Sequence, residues 1–539
     1  MVFLRRLLAA AFLFLILLTG WQCAKRGSPS GGPKDITPPE LLRSDPENLS
    51  IEFDARNIRL FFDEYIKLND IQNQLIISPP LKNQPDISPQ GVASKSIEIT
   101  IKDTLLENTT YTLNFGQSIQ DNNEGNPNSF LSYVFSTGDY IDSLTVKGEV
   151  RDAFNQKADE FISVMLYRLD TTYTDSTIYK QPPYYLTNTL DSATTFELQN
   201  LKEGKYLIRA IKDEGKNNLF DPKTDKIAFL KDTLELPTDT TFVLTLFKEI
   251  PYYSAVTPSL VSGNRIVFGF SGPPDHVNIT PLSTIPDTVR TLVYPEPDKD
   301  TLNYWFTPFE RDSLVFEIYQ DQLDIRDTFT VKTRSLALDS LVITASHRGK
   351  INFEDDYTLS ANIPLMALDT AKFSIMDQDS VAISLTTQLD SLNNRVEVDF
   401  EKEPNANYRI NLLPGALTDF FGNTNDTLNL RLNTGSYADY GNLRLRLSGD
   451  IPYPLILQLT DDKGVTKREK YATEPQLFEF SAIDPGTYLI RLILDTNGNG
   501  KWDTGDYLKE RQAERVIYYS KALEVRANWE LEETFIVEY

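Results

Sequence analysis

Five oxygen-bearing side chains fall at a spacing suited to a hard cation. Asp495, Asn497, Asn499, Asp503 and Asp506 take positions one, three, five, nine and twelve of one stretch, with Gly500 at six. Ca²⁺ takes roughly six to eight oxygen ligands, and a glycine at position six allows the sharp turn that gathers them. The carbonyl of Lys501 stands at the backbone-ligand position. The stretch ends on Asp506, where such loops usually carry a bidentate glutamate, and its flanks read as strands. Asp, Asn and Gly also make tight turns without any metal, so a solvated Asn-Gly turn is the alternative reading.

The element that must position this loop is the run before it, Gly486 to Leu494, whose alternation and β-rich composition read as a strand. The same strand and loop occur earlier. Phe196, Glu197, Gly204, Tyr206, Leu207, Ile208, Arg209, Asp213, Asn217 and Asp221 each recur 282 residues later. Asp213, Asn217, Asp221 and Asp225 are the candidate ligands of this weaker loop, which has Gly215 at its third position and Asn218 at its sixth. Matches at one offset over that many positions mark an internal repeat, so the chain is modular. Tyr206 and Tyr488 follow a glycine by two residues and are expected to tuck into corners of their cores.

A chain of 539 residues is too long for one core and calls for roughly three to five domains. Abundant Tyr (26) and Phe (30), with few long helical periodicities, favour β-structure. A formal charge of −24 argues against nucleic acid. The two histidines, His276 and His347, each stand in a polar loop without a supporting motif, which leaves little for a Ser-His-Asp or histidine-metal site. Acid pairs such as Asp63-Glu64 and Asp355-Asp356 arise by composition among 77 acids. Aromatic groups that could stack on sugars (Tyr184-Tyr185, Tyr252-Tyr253, Trp305) are more often core residues; Trp502 stands apart because it lies inside the acidic loop.

The start of the chain is charged (Arg5, Arg6), then apolar from Leu7 to Leu18, then reaches the single cysteine, Cys23. That apolar run is too short for an ordinary spanning helix, so residues 1–22 fit a secretory signal. A lone cysteine at this place resembles the lipidation site of bacterial lipoproteins, with Gln22 where a small residue is preferred; the looser lipobox of Bacteroidota accommodates it. Residues 23–37, rich in Gly, Pro and Ser, read as a flexible tether. The resemblance implies anchoring at the outer membrane. Lys25 and Arg26 stand where surface-exported lipoproteins of that group carry an acidic run, which leaves the periplasmic and cell-surface faces both open.

Short strand-like runs separated by turn signals suggest antiparallel sandwiches throughout. Residues 38–138 carry Pro38, Phe62, Asp63, Glu64, Asn108, Thr110, Tyr111, Asp121, Gly125, Asn126, Phe135, Thr137 and Gly138. That pattern resembles the bacterial SbsA-type Ig-like domain, which implies a spacer or adhesion module. Residues 337–436 repeat it more weakly, with Tyr408, Gly422, Asn423, Thr434 and Gly435 at an offset of 297 and Asp419 answering Asp121 with one residue of slip. Residues 144–248 and 442–539 resemble prealbumin-like or Cna-B-like folds through their Leu-x-x-Gly-x-Tyr and related runs. Residues 250–335 are assigned as a sandwich by strand spacing alone.

The expected fold is thus all-β: a string of about five small sandwiches, extended, with end loops free for partners. The expected function is non-catalytic binding, scaffolding or adhesion by an envelope lipoprotein whose partner is an envelope protein or polysaccharide. A carbohydrate-binding accessory protein is the alternative, and a hydrolase the remaining one. Calcium is the only cofactor the sequence points to.

Overall fold

The computed structural model describes residues 35–129, 131–189 and 193–538, and these are almost entirely strands joined by turns. The signal segment, Cys23 and most of the tether lie outside the described residues. Among the described residues, no helix is long and apolar enough to cross a membrane. The chain divides into two compact units, Met1–Asp142 and Ser143–Tyr539.

The first unit is one sandwich. Its larger sheet is built on the long strand Asn57–Leu68, which pairs antiparallel with Leu41–Asp45, Ser94–Thr100 and Ile119–Asp121. The smaller sheet is Ile76–Ser78, Thr110–Asn114 and Ser132–Ser136. Period-two alternation turns Ile58, Leu60 and Phe62 inward, where they join Ile97, Ile99, Tyr111, Leu113 and Phe135 in one core. Asp63 and Glu64 are successive on that strand and so point to opposite faces, which is not the convergence a carboxylate pair needs.

The second unit contains four sandwiches. In the earlier repeat, Gly204–Lys212 runs beside Ser163–Arg168 on one side and Lys226–Phe229 and Leu234–Leu236 on the other. The facing sheet places Leu144–Asp152 between Thr195–Leu201 and Thr241–Leu246, the last running parallel. The C-terminal repeat has the same plan. Gly486–Leu494 lies between Leu455–Thr460 and the pair Val516–Tyr518 and Leu523–Val525. Gly441–Ser448 lies between Leu477–Ile483 and a parallel Glu530–Ile536. A shared parallel closing strand in otherwise antiparallel sandwiches is a topological match, independent of the sequence identity that first suggested the repeat.

Between them come a sandwich built on Arg265–Ser271, Thr301–Phe306 and Ser313–Gln320, and another built on Tyr357–Ala361, Arg395–Phe400 and Asn407–Leu412. The latter closes as the first unit does. Tyr111 accepts the Leu106 N–H at 2.9 Å, and Tyr408 accepts the Glu403 N–H at 2.6 Å. Thr137 and Thr434 likewise each accept a backbone N–H, from Thr109 and Ala406, both at 3.0 Å.

Within this unit the sandwiches do not run on as an extended string. Trp305, Ile363 and Phe420 form a buried apolar contact between the two middle sandwiches. Asn352 donates to the Ala482 carbonyl at 2.6 Å and Arg468 pairs with Asp355 at 3.2 Å, joining the fourth sandwich of the chain to the fifth. The fifth then returns to the second. Part of the end loops read as free for partners is buried there, at Thr504, Gly505 and Tyr507, because the aromatic side chains lose more by staying in water than by closing on each other, while residues 496–501 stay exposed.

Candidate functional site

The loop after Gly486–Leu494 is held by its first residue. Asp495 is 1% exposed, and its carboxylate accepts the N–H groups of Gly498 (2.8 Å), Asn499 (3.1 Å) and Gly500 (2.8 Å). The amides of Asn497 and Asn499 both donate to Asp503 Oδ2, at 2.5 and 2.8 Å. Asn497, Asn499 and Asp503 therefore converge, while the Asp495 carboxylate is turned onto the backbone of the turn. Lys501 sits in the turn, its N–H donated to Asn499 Oδ1 at 2.8 Å. Asp506 turns elsewhere: its carboxylate takes the backbone N–H and the ammonium of Lys509, at 3.1 and 2.9 Å. Glu514 closes the loop, accepting from Thr496 N–H at 2.7 Å and Asp503 N–H at 3.0 Å.

In the earlier loop Asp225 does what Glu514 does in the later one, accepting the N–H groups of Glu214 (3.1 Å) and Asp221 (2.8 Å). Asp213 accepts from Asn218 at 2.6 Å, Asn217 from Leu219 at 2.8 Å and Asp221 from Lys223 at 2.9 Å. Burial, with Asp225 nearby, raises the pKa of Asp213. The same turn chemistry recurs where no metal spacing exists: Asp121 accepts four successive backbone N–H groups, from Asn123 to Asn126. Among the described residues, no group of three or more His, Cys, Asp or Glu is placed to hold a metal ion. With Asp495 holding three backbone N–H groups and Asp506 paired with Lys509, the loop as folded presents fewer free oxygens than the roughly six to eight that Ca²⁺ takes.

Aligning Asp225 with Glu514 exposes a seven-residue excursion in the C-terminal repeat, between Asp503 and Glu514, that the earlier repeat lacks. The earlier repeat has an excursion of its own between Arg168 and Tyr185, carrying Tyr173, Tyr179 and the short helix Thr177–Lys180. The two excursions meet. The Tyr507 hydroxyl lies 3.3 Å from that of Tyr173, and its ring packs edge-on against Tyr179, Phe220 and Phe229. The buried carboxylate of Glu249 accepts the Tyr507 N–H, and burial raises its pKa. Thr504 donates to the Lys248 carbonyl at 2.6 Å and Gln512 to that of Phe229 at 2.9 Å.

This seam explains the repeated arginine. Arg209 and Arg491 occupy equivalent places on the two central strands, 7% and 2% exposed. A buried guanidinium is costly unless its donors and charge are answered. Arg209 donates to the carbonyls of Ile208 and Leu230 and to the Tyr507 hydroxyl, with the Tyr507 ring 5.2 Å from its centre. Arg491 donates to Gln458, Thr466 and Tyr518, and lies 4.0 Å from the Phe154 ring. Each arginine is thus covered by an aromatic ring from the other copy, a reciprocal contact in which cation–π attraction adds to hydrogen bonding. Trp502 belongs here too: its indole N–H donates to the Glu514 carbonyl at 3.0 Å and its ring meets Phe154 at 4.7 Å. Tyr206 and Tyr488 are buried corner residues, donating to Lys202 and Asp484 carbonyls at 2.9 and 2.7 Å.

His276 is exposed beside Asp321, 3.7 Å away. His347, read as solitary, has neighbours: Ser346 Oγ is 3.0 Å from Nδ1 and Asp355 is 3.3 Å from Nε2. Asp355 is shared with Arg468, and Ser346 Oγ already accepts the Thr358 N–H at 3.0 Å, as a turn residue does. Their adjacency in space came from the turn and could not be read from two sequence neighbours and an acid eight residues on.

Residues 35–137 match the bacterial Ig-like domain family. No curated protein matches the sequence. Among solved structures the chain is similar to the surface layer protein SbsC, domains 1–6, with 11% identity over 90% of this chain and 67% of that one (TM-score 0.16). BcpA, the major pilin subunit of Bacillus cereus, is similar at 10% identity over 73% and 99% (TM-score 0.14). So is the Bacteroides ovatus mixed-linkage glucan utilization locus protein SGBP-B, solved with a mixed-linkage heptasaccharide, at 10% identity over 71% and 92% (TM-score 0.17). At these TM-scores the likenesses carry no structural or functional argument.

Proposed function

We propose that this chain is a non-catalytic binding and scaffolding protein of the bacterial envelope, anchored at the outer membrane through lipid on Cys23, with an envelope protein or polysaccharide as its partner. What carries the reading is the use made of its buried polar groups. Arg209, Arg491, Glu249 and Glu514 are all engaged in closing loops or joining sandwiches. Such a frame holds exposed surfaces at fixed separations, which is what a scaffold requires, and spends its buried charges on rigidity. A Ser-His-Asp reading would run through Ser346, His347 and Asp355, where Ser346 Oγ accepts the Thr358 N–H and Asp355 pairs with Arg468.

The test is extraction from native membranes in mild detergent with crosslinking. A scaffold co-purifies reproducibly with one envelope component, in a membrane fraction that depends on Cys23. A protein recovered alone, with Cys23→Ser equally membrane-bound, would refute both the partner and the anchor.

A further inference from the structure

We infer that the seam between the two repeats holds a short stretch of neutral glycan, an inference that rests on the binding-module reading and gives it a ligand class. Beside Phe154 the seam opens into a cleft of about 540 Å³ whose walls come from both repeats. A second cleft of about 330 Å³ adjoins it and shares Asn155, Gln156, Ala158 and Tyr518. Volumes of this order at a domain interface are typical of ligand sites. Together the two make a continuous site whose volume has room for several sugar units.

The lining selects the chemistry. In a chain of net charge −24, the larger cleft balances three lysines (Lys157, Lys212, Lys463) against three carboxylates (Asp159, Glu160, Asp462). Several of these charges are answered within the protein. Lys157 pairs with Glu160 at 3.4 Å, Asp159 with Lys226 at 2.7 Å, and Lys212 donates to the Glu160 carbonyl at 2.8 Å. The formal charges lining the larger cleft sum to zero, and the smaller one adds Glu149, Arg151 and Asp152, of which Glu149 pairs with Arg151 and Asp152 with Lys226, so neither sign dominates the site. Asn155, Gln156, Asp462 and Lys463 are exposed, and amides and carboxylates of this kind hydrogen-bond hydroxyl groups in both directions. Tyr518 is half-buried, its hydroxyl fixed by donation to the Phe154 carbonyl at 2.7 Å, so the ring is a preset wall. Apolar lining is confined to Ala158, Leu489 and that ring in the larger cleft and adds only Val150, Ala153 and Val516 in the smaller, too little for a lipid tail or for the side-chain pockets that an extended peptide needs.

The experiment is calorimetric titration of the full chain with neutral hexasaccharides built on glucose, mannose or N-acetylglucosamine. A uronic-acid oligomer and an extended neutral peptide are the comparison ligands. At least one neutral hexasaccharide should bind and the uronic-acid oligomer should not. Ala158→Trp, which fills the cleft, should abolish binding, while the exposed Gln156→Ala should weaken it about tenfold, the effect of one lost hydrogen bond. Melting curves of both variants report whether they fold, and the glutamine variant keeps the test open if the tryptophan does not. Binding by none of the neutral sugars, sugar binding indifferent to both substitutions, or peptide binding abolished by Ala158→Trp would each overturn the inference. If Ala158→Trp retains the co-purifying envelope component while no sugar binds, the cleft proposal falls and the scaffold reading stands; sugar binding without any co-purifying component gives the reverse.

Discussion

Asp495 shows how one side chain can satisfy a metal-loop spacing and a turn at once. Its oxygens already accept three backbone N–H groups, and Asp121 and Asp419 do the same work in loops with no ligand spacing. Asp495→Ala leaves those donors without their acceptor and should cost about 1–3 kcal/mol of stability even in chelator. Calcium remains a proposal at this site, and melting separates the two roles. If the ion binds, the native chain melts higher in calcium than in chelator, and Asp495→Ala loses that difference as well as basal stability. Superimposed curves for the native chain would remove the metal and leave the turn. The acids and asparagines of this loop were legible from spacing. Glu514 was not, because it enters from beyond an excursion and only strand register aligns it with Asp225.

At the scale of elements, the two excursions are where the repeats differ and also where they touch. Tyr507 is 6% exposed, its ring packed against those of Tyr179, Phe220 and Phe229 and its hydroxyl meeting Tyr173 and Arg209. Tyr507→Ala should destabilise the second unit by about 3 kcal/mol through lost burial and the cavity left behind. Tyr507→Phe should cost about 1 kcal/mol, since only hydroxyl bonds go. Urea unfolding of the full chain measures both, and two variants indistinguishable from the parent would mean that the seam carries no stability. Gly505 marks how closely the excursion approaches: a methyl group there would meet the Phe247 ring at 2.5 Å and the Arg511 carbonyl at 2.7 Å. Strands, corner tyrosines and the repeat itself were readable from alternation and offset. The docking of Tyr507 was not, because an aromatic residue in an irregular loop carries no periodicity to say what covers it.

For the whole molecule, the consequence is a dependence on pH that passes through Glu249. Its folded pKa lies above the ordinary glutamate value of 4.5, chiefly because burial disfavours the charged form. The folded state therefore keeps the proton longer than the unfolded chain. The group's contribution to stability is full below 4.5 and declines as pH rises from there through the folded value. Glu249→Gln can still accept the Tyr507 N–H and carries no charge, so melting temperature should fall less between mildly acid and neutral pH than in the parent. An identical pH profile for the two proteins would show that Glu249 does not titrate in that range.

The alternation of apolar residues, the turn signals and the two offsets were enough to establish an all-β chain of small sandwiches, because strand formation and face assignment are local properties with a period of two. Which sandwich lies against which is decided by long-range packing. Arg209 and Arg491 sit at matching repeat positions in the sequence, but the rings that cover them come from the opposite copy, some 300 residues away, and only the folded chain brings those surfaces together.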